Sequence, residues 1–502
     1  MQKLSRRSAL AVFGAAGAAL STHAHASALR PAKWDSTVDV VVIGAGVAGL
    51  FAAVAAAERG VKNIFVLEQA ATPFMNSSSL SGGLVTASGT KAQKTNGIND
   101  ENGKAQLAEE IIKTGLGVNN RMMVDLFVQH GAEALDWLTD HGVTLIPTVN
   151  ASFSVKRTHG NPTGYGAVYV ETLSKEAEKL GVNIVYKATA KELVVTPDGG
   201  KVEGVLYEQG GKTLAVAAKK GVVIATGGFS SNGDMIDNAM PAYIGALSAS
   251  SVLSNGSGIL MATKIGAGSS HMNYGALYAY GAVTDAKKRR GVILRGHILN
   301  LNGGITVGED AKRFVVDVAS PTTVTNAMAI HGYRKCFAIA TQPQLDAFLQ
   351  NEKQHVLGWS KEQFLQEIKD EKLFVKKGAT IEELATKLGL DPKALRKTVD
   401  TYNWYVDAGK DPEFDRKFMK GKLDKGPFYG FIGMPTALIT LGGLKVNQHM
   451  NVVDVYGKPI KGLYAAGEVL GGIHGASYTG GDSLGAALAL GRLAGIEVAT
   501  EK

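Results

Sequence analysis

Reading the chain by where its apolar residues fall, short unbroken apolar runs separate from longer stretches of helical spacing. Val38 to Ile43 is a run of the buried-strand kind; Gly44, Gly46 and Gly49 follow it and open an Ala-rich stretch that reads as helix. A second run, Ile64 to Leu67, stops at Glu68. Two more lie in KKGVVIATGGFSSN (Lys219 to Asn232) and KGLYAAGEVLGGIHGA (Lys461 to Ala476), each ending in glycines. Between them SKEQFLQEIKDEKLF and TIEELATKLGLDPKALRKTVDTYNWYV carry helical apolar spacing, with Asp391-Pro392 as a helix start. The last element is HGASYTGGDSLGAALALGRLAG, a glycine-rich loop holding His474 and Tyr478 just before an Ala/Leu run that reads as helix. Buried strands alternating with helices predict an α/β fold.

The first of these units has a chemical reading. The glycines at GxGxxG spacing allow a tight turn and let backbone approach a pyrophosphate, while the helix they open presents free N–H groups and a partial positive charge to it. Gly44, Gly46, Val47, Ala48 and Gly49 are therefore candidate cofactor residues, and Glu68 is placed to accept hydrogen bonds from a ribose diol. Further strands ending at Thr226, Gly227 and Gly228 and at Gly467 and Glu468 fit a long cofactor that crosses several strand ends. That describes extended FAD; NAD needs only the first unit. The alternative, ordinary strand-to-helix turns, asks for no ligand.

Composition narrows the class. The 502 residues are 45% apolar and 20% charged, ordinary for a globular protein long enough for two domains. The net charge of +8 is diffuse and speaks against nucleic acid as a partner. Lys3, Arg6 and Arg7 precede an apolar stretch, Ala9 to Leu20, and Ala24-His25-Ala26 supplies a small-x-small cleavage pattern. Residues 1–26 are accordingly expected to be a twin-arginine export signal, with a periplasmic destination and membrane contact only during export; the alternative is a retained N-terminal anchor. Cys336 is the only cysteine, so this chain has neither an intrachain disulfide nor the motif for a c-type haem or an iron–sulfur centre. The eleven histidines show no ligand spacing, so no metal site is expected and a metal hydrolase is excluded.

With these pieces assembled the chain resembles the fumarate reductase/succinate dehydrogenase flavoprotein superfamily, above all the soluble, exported flavocytochrome c-type fumarate reductases. The resemblance runs through the nucleotide motif, NSSSLSGGL (Asn76 to Leu84), SVKRTHGNPTG (Ser154 to Gly164), AKRFVVD (Ala311 to Asp317) and LGLDPKALRKTVDTYNWYVDAGKDPEFDR (Leu388 to Arg416). It implies a Rossmann-like FAD domain in two segments, residues 37–272 and 440–502, with an α+β clamp domain, 273–439, inserted between them. It also implies cofactor contacts at Asn76, Ser77, Gly82 and Gly83, and a substrate held between clamp and flavin. Arg157 and His159 then support the substrate pocket.

The chain departs from that pattern where the relatives carry cations. By resemblance Pro321 stands near the place of the proton-donating arginine, Tyr278 and Ile439 near those of two histidines, and Tyr478 at that of a carboxylate-binding arginine. The closing loop is also similar to that of the 3-ketosteroid dehydrogenases, which implies that the Tyr478 hydroxyl and the Asp482 N–H hold a substrate oxygen between them, beside His474. Two neutral donors on one oxygen suit an enone or a sulfoxide better than a gripped dicarboxylate. Asp482 is expected to cap the last helix, whose N–H groups near Ser483 and Leu484 face the electron-rich edge of the flavin. One of Tyr274, Tyr278 and Tyr280, with Tyr278 foremost, is expected to supply a proton.

The expected activity is that of an exported FAD-dependent reductase delivering hydride to a small oxidised acceptor, an activated C=C or a sulfoxide, in anaerobic respiration. A separate donor, a membrane-linked c-type cytochrome, supplies its electrons. The rival readings are a ketosteroid-type dehydrogenase and a non-catalytic flavin or electron carrier.

Overall fold

The computed structural model describes residues 30–351 and 355–501; the export signal expected at residues 1–26 lies outside the described residues. The chain enters through β1 (Ser36–Ile43), α1 (Val47–Glu58) and β2 (Ile64–Glu68), the elements that the first apolar runs predict. β1 and β2 pair in parallel, Val40 beside Ile64 through Ile43 beside Leu67. β3 (Asn183–Tyr186) extends the sheet beyond β2, and β4 (Lys212–Ile224) lies along the other side of β1, both parallel. β1 and β2 are buried over most of their length, which is why they read as continuous apolar runs and not as alternation.

The chain then builds a second sheet of seven strands. β5 (Gly275–Asp285) turns back as β6 (Arg290–Ile293), and β7 (Cys336–Thr341) pairs with the long β8 (Phe428–Thr440), which also pairs with β5. A two-residue strand, Leu247–Ser248, bridges β6 and β8. Helix α2 (Pro392–Ala408) starts where the sequence predicts: Asp391 accepts a hydrogen bond from the Ala394 N–H at 2.7 Å, and Pro392 occupies the first helical position. This part has its own cores, one around Tyr280, Phe348, Phe364 and Phe431 and another around Ile339, Leu395 and Tyr402.

β9 (Pro459–Ala465) returns to the first sheet in parallel beside β4, and α3 (Asp482–Thr500) closes the fold. By length and composition α3 could cross a membrane, but it packs as a core helix against α1. The contact is very close. A Cβ on Gly491 would lie 2.5 Å from the Ala48 carbonyl oxygen, and one on Gly495 would lie 2.2 Å from that of Ala52. The architecture is a Rossmann-like FAD domain carrying an inserted α+β clamp.

Candidate active site

A cavity of about 1190 Å³ lies where the C-terminal ends of β1, β2, β4 and β9 face the second sheet. Carboxyl ends of parallel strands are where open α/β sheets take their ligands. At Gly44 the backbone takes a φ of +107°, and a Cβ there would fall 2.5 Å from the Ala225 carbonyl oxygen, so only glycine makes this turn. Gly49 sets α1 hard against the turn, and Val47, first in α1, gives its N–H to Ser78 Oγ at 3.3 Å. Glu68, at the end of β2, is buried on the wall and accepts from the Ala45 and Ala70 N–H groups at 2.7 and 2.8 Å.

The wall continues along a path that suits a long cofactor. Asn76 caps the short helix after it through Ser79 N–H and donates to the Ala45 carbonyl, tying that segment to the glycine turn. Ser77 Oγ meets Ser250 and Ser254 Oγ at 3.1 and 2.9 Å. Gly82 and Gly83 follow; Tyr169 fixes the latter by donating to its carbonyl at 2.6 Å. Thr226, Gly227, Gly467, Glu468, Ser483 and Leu484 complete the lining, together with Gly44, Gly46 and Ala48. Gly228 stands behind the wall, where a Cβ would strike Thr440 Oγ1 and Glu468 Oε1. A glycine cradle, a strand-end carboxylate and a helix start along one elongated cavity fit FAD.

Two tyrosines meet at the far end. Tyr478, half-buried, lines the cavity, and Tyr278 on β5 is its near neighbour. Burial pushes both phenols above their ordinary range, Tyr478 strongly so, with the neighbouring Tyr278 adding to it. A break in the β5–β8 register between Tyr278 and Gly281 separates Tyr278 from its neighbour Tyr280. Tyr280 instead packs in the clamp core, where it meets Thr306 Oγ1 at 2.8 Å and accepts from Asn300 Nδ2 at 3.1 Å. It is not placed to give a proton to a ligand. Glu468 accepts from the Thr440 N–H at 3.0 Å, and burial pushes its carboxyl up to about 7.

Several sequence-based assignments change. The Asp482 N–H, expected to hold a substrate oxygen, donates to the Thr479 carbonyl at 3.1 Å inside the turn. Nor does Asp482 cap α3: the N-cap is Gly481, with a φ of 106°, and Asp482 is the first helical residue. Its buried carboxyl is pushed up to about 7 by burial. Arg157 is no substrate ligand. It is fully buried away from the cavity, with Asp100 at 2.6 Å, Glu110 closer still and Gln106 at 2.8 Å. His159, buried on a small three-stranded sheet, meets Thr90 Oγ1 at 2.9 Å, and burial lowers its pKa to about 4. His474 lies edge-on to Tyr478 at 5.9 Å, and burial likewise lowers it to about 4, so it is a neutral ring behind the phenol. Pro321 begins a helix capped by Ser320, whereas Ile439 does line the cavity.

Sequence reasoning missed two cationic lining residues, Lys361 and Arg290, of which the second is held by the wall itself. Arg290, at the start of β6, lies on the clamp side of the cavity and donates to Ser231 Oγ, Ser248 Oγ and the Ser250 carbonyl. Its signal was a short KKRR turn, Lys287 to Arg290, in which nothing marks the last cation as inward-facing.

Comparison with known proteins agrees with this geometry. Residues 39–484 match the FAD binding domain family. The chain is 30% identical over 465 residues to a probable fumarate reductase, Ifc3, of Shewanella frigidimarina, covering 92% of this chain and 74% of that one. It is 30% identical over 468 residues to a vinyl phenol reductase of Lactiplantibacillus plantarum, covering 89% and 92%. Among solved structures, the open conformation of a flavocytochrome c3 fumarate reductase superposes with a TM-score of 0.78 at 27% identity, over 100% of this chain and 82% of that one. A 3-ketosteroid-Δ4-(5α)-dehydrogenase from Rhodococcus jostii RHA1 gives 0.71 at 27%, over 94% and 99%. The glycine turn, the elongated cavity and a family match over nearly the whole described chain lead to one conclusion: this protein belongs to the FAD-binding flavoprotein family that includes the fumarate reductases, and it is an FAD-dependent oxidoreductase.

Proposed function

We infer that the protein reduces an activated carbon–carbon double bond in a small organic acceptor, and that Tyr478 and Tyr278 do the work that cationic side chains do in the fumarate reductases. The observation that carries this reading is Tyr478 on the cavity wall with the Tyr278 phenol beside it, both half-buried. The glycine turn and strand ends would hold FAD, which when reduced by the separate donor would supply hydride chemistry toward an electron-poor carbon. Tyr478 stays protonated because burial disfavours its phenolate, and so it can donate a hydrogen bond to an acceptor oxygen as negative charge develops there. Tyr278, beside it and kept protonated by burial, holds the proton that completes the reduction. The start of α3, at Ser483 and Leu484 on the wall, offers a partial positive charge to the electron-rich edge of the cofactor.

Relatives named as vinyl phenol and fumarate reductases support the reductive direction on C=C bonds. The likeness to a ketosteroid dehydrogenase favours, as a second reading, the reverse reaction on a saturated ketone. We further propose a clamp of residues 273–439 that closes over the acceptor between the FAD-domain segments 37–272 and 440–502, excluding water from the transfer. The likeness to a flavocytochrome c3 fumarate reductase supports, as the electron donor we propose, a separate c-type cytochrome. The twin-arginine pattern at the N-terminus supports a periplasmic enzyme of anaerobic respiration.

The test is anaerobic: chemically reduced protein is mixed with enoates, enones, vinyl arenes and sulfoxides while flavin absorbance is followed. At least one unsaturated acceptor should restore the oxidised spectrum well ahead of buffer. Bleaching of oxidised protein by a saturated ketone would favour the dehydrogenase instead, and indifference to every compound would favour a carrier.

A further inference from the structure

The arginines that this fold buries keep carboxylate company. Arg157 is held by Asp100 and Glu110, Arg313 by Asp317 and Asp411, and Arg416 by Asp317. Even Arg289, more exposed, is paired with Asp237 at 2.8 Å. Its neighbour Arg290 breaks the rule. Half-buried on the cavity wall, it has no carboxylate partner among the described residues, and its three hydrogen bonds all go to neutral oxygens: Ser231 Oγ at 2.9 Å, Ser248 Oγ at 3.1 Å and the Ser250 carbonyl.

A cation drawn out of water with no opposite charge is costly, and burial alone depresses the pKa of this guanidinium, with nothing raising it. The three bonds use Nη1 twice and Nη2 once. Nε–H and one Nη2–H are left, and Nε and Nη2 form the guanidinium edge that grips a carboxylate or phosphate side-on. The serines hold the fork still without neutralising it.

Place matters as much as charge. Arg290 pairs with Ser248, Ser248 with Ala437, and Ala437 with Leu277, next in the chain to Tyr278. β6 also pairs directly with β5, Arg290 beside Asp285, so the arginine and Tyr278 stand on neighbouring strands of one sheet. The Ser250 to which it donates also reaches Ser77, on the wall beside the glycine turn. Arg290 thus looks onto the same cavity as Tyr478, from its clamp side.

We propose that Arg290 is the cation of an oxyanion subsite on the clamp wall of this cavity, closed by a carboxylate or phosphate of a bound ligand. The inference rests on reading the cavity as the place of flavin and acceptor. Two sources carry that chemistry: an acceptor whose carboxylate lies remote from the bond being reduced, or the pyrophosphate of the cofactor. Neutral donors at one end and a cation at the other would select an elongated acidic acceptor and reject a compact dicarboxylate.

The experiment uses Arg290→Gln and Arg290→Lys with binding readouts. FAD affinity is measured by fluorescence titration of apoprotein at low and high salt. Binding of 4-vinylbenzoate and of its uncharged counterpart 4-vinylbenzamide is measured on oxidised holoprotein by flavin difference spectra. Arg290→Gln should weaken either vinylbenzoate or FAD by about tenfold or more, with the amide unchanged. Arg290→Lys should recover part of the loss, and the affected ligand in wild type should weaken with salt. Loss of vinylbenzoate binding assigns the subsite to the acceptor, and loss of FAD binding assigns it to the cofactor. Wild type that binds acid and amide alike, with FAD affinity indifferent to residue 290 and to salt, overturns the proposal. Should the glutamine variant not fold, the lysine variant and the wild-type salt series decide. Failure of the reductase reading is a distinct result, since it shows as a reduced flavin that no acceptor reoxidises.

Discussion

At the scale of single residues, what a group does here follows from what surrounds it more than from what it is. Tyr478 and His474 share a loop; burial keeps the phenol protonated and the imidazole neutral, so neither brings charge to the cavity's end. Replacing Tyr478 with Phe removes one hydrogen-bond donor and little volume. That change should slow acceptor-driven flavin reoxidation about 10²–10³-fold while FAD binding stays at the wild-type level, checked by absorbance and fluorescence titration. Arg157 should behave in the opposite way. Arg157→Leu leaves Asp100 and Glu110 without their cation and should cost about 3–5 kcal/mol in urea unfolding, with the acceptor preference of the surviving folded protein unaltered. Glu468 adds a pH dependence. Its carboxyl, ordinarily near 4.5, is pushed up to about 7 by burial, so between those values the folded protein holds a proton that the unfolded chain releases. Stability from this group therefore falls as pH rises through that window. Glu468→Gln should gain thermal stability over wild type from pH 4.5 to about 7 and keep a constant advantage above, as a melting series would show.

At the scale of elements, the sequence was clearest where geometry is local. The run Val38 to Ile43, the glycines after it and the helix they open are neighbours in the chain, so their spacing carries the turn directly. The start of α2 at Asp391-Pro392 was legible for the same reason. The cap of α3 was not. Asp482 is a good capping residue by type, but Gly481 takes the left-handed backbone and Asp482 enters the helix, its N–H spent on Thr479. Tyr280, a candidate beside Tyr278 in the sequence, was placed in the clamp core only by the register break in β5. The α1–α3 crossing gives a prediction of its own. Gly495→Val puts carbon where the Ala52 carbonyl oxygen already lies, so it should lower the unfolding free energy by about 1–3 kcal/mol and loosen FAD, read as a lower melting temperature and faster release of free flavin.

At the scale of the whole molecule, the cavity belongs to two sheets at once. The first contributes the glycine turn and Glu68; the second contributes Ile439 and Arg290, with Tyr278 behind Tyr478. The FAD half was legible because its motif is contiguous. The acceptor half was not, because its residues come from strands far apart in sequence, and an arginine's missing partner can be seen only once every other chain segment is in place. On the proposed reading, Tyr478 near one end and Arg290, without a carboxylate partner among the described residues, near the other are two parts of one arrangement that keeps charge away from the reacting bond. The central claim is that the reacting end is neutral. Its most direct test is stopped-flow reoxidation of reduced wild type and Tyr478→Phe by fumarate and by an uncharged enone at equal concentration. The account predicts that wild type is reoxidised faster by the enone than by fumarate, and that the substitution abolishes that preference. A wild type that favours fumarate, with a Tyr478→Phe variant equally fast, would contradict it.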